Sequence, residues 1–117
     1  MAEGAALAKS KAFALRMVRL YRYLCDEKHE YVLSKQIVRS GTSIGANITE
    51  AEYGVSKNDF YAKMYIALKE CAETKYWLEL LHESNYLETD AFRSLMKDCS
   101  ELLRILSSIT KTIKDEK

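Results

Sequence analysis

Apolar residues recur along this chain in steps of three and four, and the polar residues between them outline four helices. In the first, predicted over residues 5–27, Phe13, Met17, Leu20, Tyr21, Leu24 and Cys25 fall on one arc. "DEKHEYVL" then reads as a short polar connection. Ser34 is placed to cap a second helix over 34–53, with Leu33 and Val38 as its hydrophobic staple and Gly54 as a left-handed stop. Ser56 and Asp59 form a capping box for a third helix over 57–82, flanked by Val55 and Phe60 as staple. Ser84 and Asn85 mark the next turn. The fourth helix, over 89–114, carries the stripe Phe92, Leu95, Met96, Cys99, Leu102, Leu103, Leu106, Ile109 and Ile113. Four long helices with short connections predict an all-α, antiparallel up-down-up-down bundle, one domain over residues 1–117. No strand pattern competes.

The third helix differs from the others. Its main face holds Phe60, Met64, Leu68, Cys71 and Leu78, with Tyr61, Tyr65 and Ala72 alongside. Ala62, Ile66, Trp77 and Leu80 lie on the far side. A helix of a lone bundle needs one buried stripe, so the second is expected to meet another subunit. The simpler alternative is that Trp77 covers a helix end and Ile66 is an ordinary exposed aliphatic.

Glycines concentrate in "RSGTSIGANITEAEYG", residues 39–54. A phosphate loop would need G-x-x-x-x-G-K-[ST] after a strand, and here Gly41 and Gly45 are three residues apart with Ala46 following. The dinucleotide pattern fails as well. Helical spacing explains the stretch better, because Ile37, Gly41, Ile44, Ile48 and Ala51 form one core stripe. Each mid-helix glycine costs roughly 1 kcal/mol relative to Ala, so Gly41 and Gly45 are expected to admit a close neighbouring backbone. Beside them run Gln36, Ser40, Ser43, Asn47 and Glu50, with Arg39 nearby. Serine and asparagine are weaker helix formers than the Lys and Glu usual on a solvent face. The stripe reads as a polar seam between helices that draws in Arg39 and Glu50, or else as a solvated face with chance spacing.

Composition adds limits. At 117 residues, 48% apolar and 30% charged, the chain suits a single folded core. No apolar run approaches the ~18 residues of a membrane span, and the first residues lack a signal-peptide pattern, so the cytoplasm is the expected location. Cys25, Cys71 and Cys99, an odd count without a C-x-x-C pair, are expected as small buried hydrophobes rather than disulfide or zinc ligands. The net charge of +1 names no partner. Its distribution is uneven, since Lys9, Lys11, Arg16, Arg19 and Arg22 stand against Glu3 alone in the first 25 residues. Lys9, Arg16, Arg19, Arg22 and Tyr23 share the arc opposite the apolar one.

"LSKQIVRSGTSIGANITEA" followed by "SKNDFYAKMYIALKECAETKYWLELL" resembles the four-helix bundle proteins of 23S ribosomal RNA gene intervening sequences. Gln36, Arg39, Ser43, Ile44 and "NITEA" carry the likeness, with Glu73 matching a recurrent acid of the third helix. Ala51 stands where the motif usually ends in glycine, and Glu70 where a serine precedes that acid by three. The resemblance implies an antiparallel four-helix bundle in a ring-shaped homo-oligomer, a pentamer, without catalytic activity; the residues themselves suggest no cofactor or metal. Accessory proteins of diversity-generating retroelements are similar in fold and associate with nucleic acid, which extends the expectation to RNA by analogy.

Three functions compete. An RNA-binding accessory protein would use the basic face, Lys9, Lys11, Arg16, Arg19, Arg22 and Tyr23, on phosphates. A protein–protein scaffold needs only the two-sided third helix. An enzyme has the weakest support: "ELLH", Glu79 to His82, matches one Glu-x-x-His metal motif, but His29, the only other histidine, falls in a connection. No small-molecule substrate or nucleophile–base pair is evident.

Overall fold

The computed structural model describes residues 2–116; Met1 and Lys117, which the sequence places in the same domain, lie outside the described residues. Four helices follow one another: α1 (Ala2–Asp26), α2 (Leu33–Glu52), α3 (Lys57–Glu83) and α4 (Thr89–Glu116). There is no strand among the described residues. Each helix packs on its neighbours in the chain, and α1 closes the bundle against α4. Cross-contacts fix the antiparallel directions. Met17 and Ser10 on α1 face Gly41 and Gly45 on α2, while Arg39 and Glu50 on α2 meet Glu73 and Lys63 on α3. Cys71 faces Cys99 across α3 and α4, and Arg16 and Lys9 reach Asp98 and Glu101 on α4. The result is a rod with Cα extents of 46 × 21 × 19 Å.

The core repeats in steps of three and four on every helix. Ala6, Ser10, Phe13, Met17, Leu20 and Leu24 are buried on α1, and Leu95, Cys99, Leu102, Leu106 and Ile109 on α4. On α3 the buried residues are Met64, Ala67, Cys71, Thr74, Leu78 and Leu81. That spacing is the near-parallel, knobs-into-holes seam of a bundle. On α3 it was hidden from the hydrophobic pattern because Ala67 and Thr74 are small or polar, which made Tyr65 and Ala72 look more central than they are. Both are exposed.

Gly41 and Gly45 do admit close neighbours, but these are chiefly side chains of α1 and not the backbone that was expected. A Cβ on Gly41 would lie 2.3 Å from Met17 Cγ, and one on Gly45 would lie 3.1 Å from Ser10 Oγ. At both positions a side chain on α2 would collide with or crowd α1.

Four local expectations need correction. Ser34 does not cap α2; it is buried in the helix's first turn, where its backbone N–H donates to Glu30 Oε1 at 2.7 Å. Glu30 Oε2 also accepts from the N–H groups of Val32 and Leu33, at 3.1 and 2.9 Å. One carboxylate thus replaces the hydroxyl cap, and Leu33, inside the helix, is not the outer half of a staple with Val38. Gly54 has no positive φ; the left-handed residues are His29 (φ 53°) and Asn85 (φ 68°). At Gly54 space decides, since a Cβ would stand 3.1 Å from both the Ala51 carbonyl and Asp59 Oδ2. Asn85 completes a Schellman turn, with Tyr86 N–H donating to the Leu81 carbonyl and Asn85 N–H to that of His82. The Ser56 cap forms as expected, accepting from Asp59 N–H at 3.0 Å, but Asp59 Oδ2 accepts in return from Val55 N–H, and Val55, 95% exposed, is no staple for Phe60.

Candidate nucleic-acid and assembly surfaces

The basic face of α1 divides in two. Lys9 Nζ lies 3.0 Å from Glu101, and Arg16 donates to Asp98 Oδ2 at 2.7 Å and to Ser94 Oγ at 2.9 Å. These two cations therefore lie along the α4 side and tie the first helix to the last. Lys11, Arg19 and Arg22 are exposed, with no ion-pair partner among the described residues. Tyr23 is half-exposed beside them, and Lys28 Nζ lies 6.0 Å from its ring centroid. The arc drawn from sequence was correct as an arc, but only half of it is free. Acids at Asp98 and Glu101, one turn apart beside the α4 stripe, are the signal for that pairing.

The stripe on α2 also divides. Ser40 is fully buried and accepts from the Thr74 hydroxyl on α3 at 2.9 Å. Gln36 and Glu50 are exposed. Ser43 donates to the Arg39 carbonyl and Asn47 to the Ser43 carbonyl, so both return their donors to their own helix. The cross-helix links come from the charged residues. Arg39 donates to Glu70 Oε2 at 3.1 Å and to Glu73 Oε2, while Lys63 donates to Glu50 at 2.9 Å. Trp77 Nε1 reaches the same Glu73 oxygen at 2.9 Å. The Trp77 and Arg39 donors hold the Glu73 carboxyl below its ordinary range despite partial burial. Glu70, in the place of the serine noted above, gives Arg39 a second carboxylate. Arg39 thus joins a network with Glu70, Glu73 and Trp77, whereas Glu50 pairs separately with Lys63, both across to α3 at the exposed rim.

On the outer face of α3, Ala62 and Ile66 are exposed, as are Tyr65 and Tyr76. Trp77 and Leu80 are only half-exposed, and Trp77 packs against the core. The apolar patch is therefore centred nearer Ile66 than Trp77. His82, the candidate metal residue of "ELLH", stacks on Phe92 at 4.2 Å between ring centroids and hydrogen-bonds Thr89 at 3.1 Å. It closes the α3–α4 turn. No group of three or more potential metal-ligating side chains occurs among the described residues. No helix among them is long and apolar enough to cross a membrane.

Residues 3–108 match the family model described as 23S rRNA-intervening sequence protein. A crystal structure from Bacteroides thetaiotaomicron VPI-5482, of a protein described as having unknown function and coming from the S23 ribosomal protein family, superposes with a TM-score of 0.93. It is 50% identical, and the match covers 95% of this chain and 99% of that one. Among curated proteins no sequence matches.

Proposed function

The chain belongs to the 23S rRNA-intervening sequence protein family, and from that premise we propose that it is a non-catalytic, cytoplasmic homo-oligomer that binds RNA. The observation that carries the reading is the set Lys11, Arg19 and Arg22, exposed on one helix and left unpaired while Lys9 and Arg16 are engaged by α4. Unpaired cations on a rigid helix attract phosphates without first giving up an internal partner, and each contact releases counterions. The expected behaviour is binding to RNA at low salt with affinity falling as salt rises. Replacing Lys11, Arg19 and Arg22 together by Ala should reduce the slope of log K against log salt by up to about 2 on single strands. Fluorescence anisotropy with a labelled RNA reads both. Absence of binding at low salt refutes the proposal.

Self-association is the second part, supported by Ile66 and Tyr65 at 42% and 44% exposure on a helix whose core stripe is already complete. The ring of five subunits is the form that family resemblance implies. Light scattering should give a mass several times the 13.5 kDa of one chain. Ile66→Glu should return it to one chain with its helicity intact. A wild type of single-chain mass would leave only the RNA reading, and oligomers that bind no RNA would favour a protein scaffold.

A further inference from the structure

Between α1 and the start of α4 lies an open groove of about 600 Å³. Leu20, Leu87 and Leu95, each nearly buried, line it with apolar surface. Arg19 and Tyr23 line it from α1, and Glu88 from the residue just before α4. The size falls within the range of small-ligand sites. Its chemistry is mixed in a particular way: an apolar lining, one half-exposed aromatic ring, an unpaired guanidinium and a carboxylate.

We infer that this groove holds one unpaired nucleotide of a single-stranded RNA. The inference rests on the RNA-binding reading above and says where and how the strand is gripped. A base extruded from its stack needs a flat ring and an apolar lining, which Tyr23 and the three leucines supply. Its phosphate needs a cation at the rim, which Arg19 supplies, with Arg22 and Lys11 continuing the positive track along α1. Arg16 also lines the groove but is held by Asp98 and Ser94, so it fixes the wall. Glu88 would repel a phosphate, and it therefore orients the strand: phosphate toward α1, base edge toward α4. A carboxylate accepts hydrogen bonds from the exocyclic N4 amino group of cytosine, whereas uracil offers it only the ring N3–H. A duplex cannot enter, because its bases are already stacked and paired.

The test compares labelled oligocytidine, oligouridine and a fully paired RNA duplex by anisotropy. Tyr23→Ala should weaken single-strand binding roughly 5- to 150-fold, the range of one lost stacking contact, and leave duplex binding and the salt slope unchanged. Arg22→Ala, outside the groove, should weaken both forms and reduce the slope. Oligocytidine should bind more tightly than oligouridine, with Glu88→Gln narrowing the difference. Tyr23→Ala with unchanged single-strand affinity and an unchanged melting curve overturns the pocket while RNA binding stands. Oligocytidine binding no tighter than oligouridine overturns the role given to Glu88. A wild type that binds none of the three RNAs overturns both the pocket and the function it rests on.

Discussion

Thr74 on α3 donates its hydroxyl to Ser40 on α2 at 2.9 Å, and both side chains are fully buried. Each hydroxyl also has a fallback on its own helix, since Thr74 Oγ1 lies 2.8 Å from the Glu70 carbonyl and Ser40 Oγ 3.4 Å from that of Ile37. No buried side-chain polar atom among the described residues lacks a partner. A link of this kind favours one register of the two helices, because sliding by one turn would break it and leave each hydroxyl only the carbonyl of its own helix.

Thr74→Val removes the donor and preserves the shape. It should destabilise the protein by about 1 kcal/mol, and Ser40→Ala by a similar amount. The double variant should lose less than the sum, because neither hydroxyl is then left facing an apolar partner. Urea unfolding of the four proteins measures the coupling; strict additivity would show that the two hydroxyls act independently.

Gly41→Ala sets two effects against each other. Helix propensity favours alanine by roughly 1 kcal/mol. The new Cβ, however, would fall 2.3 Å from Met17 Cγ, part of a fully buried side chain with little room to retreat. Overpacking of this kind costs about 1–3 kcal/mol. The expected result is a lower melting temperature than wild type. Gly45→Ala, whose Cβ would come no nearer than 3.1 Å to any atom, there Ser10 Oγ, should be milder. Gly45→Leu should force α1 and α2 apart, and calorimetry ranks the three.

The Glu30 carboxyl is pulled up by burial, but the N–H groups of Leu33, Ser34 and Val32 outweigh that effect and hold it below its ordinary range. A carboxyl of lowered pKa binds its proton more weakly in the folded chain than in the unfolded one. Its stabilising contribution is therefore complete above the unfolded value, near 4.3, and disappears as pH falls through the folded value. Glu30→Gln should flatten that part of the stability–pH curve below about pH 5. Glu30→Ala should cost about 1–3 kcal/mol at neutral pH. Denaturant midpoints between pH 3 and 7 test both.

Cys71 and Cys99 lie with their sulfurs 3.9 Å apart in the core, while Cys25 is partly exposed. The hydrogen bond that the Cys71 thiol donates to Cys99, together with burial, pushes that thiol far up, so almost no thiolate forms there. A thiol reagent at neutral pH should therefore modify Cys25 readily in the native protein. Cys71 and Cys99 should react only at the rate of unfolding, which mass spectrometry of digested samples resolves.

The four helices and three of their apolar stripes were legible because Phe13, Met17, Ile44, Leu102 and their neighbours are strongly hydrophobic and regularly spaced. The α3 stripe was not, because two of its buried positions, Ala67 and Thr74, carry little hydrophobic signal. The glycines announced close packing through their own energetic cost, yet which side chain they admit depends on which helix lies opposite. Charge pairing failed for the same reason. An arc of arginines on α1 is visible in sequence, but the position of Asp98 beside Arg16 follows from the register of α1 against α4. The cap at Glu30 was missed because a carboxylate reaching forward from a loop has no fixed spacing, unlike a serine at the cap itself.

At one end of the rod, Glu3, Ile113 and the connection Gly54–Ser56 line a common depression. The start of α1 and the finish of α4 thus stand next to the α2–α3 turn. Because α1 and α4 are packed neighbours, the order in which the chain visits its helices can be separated from the way they pack. A short linker from α4 to α1, with the chain opened at Val55, would yield a circular permutant with the same four interfaces. The bundle's architecture is cyclic even though the polypeptide is not.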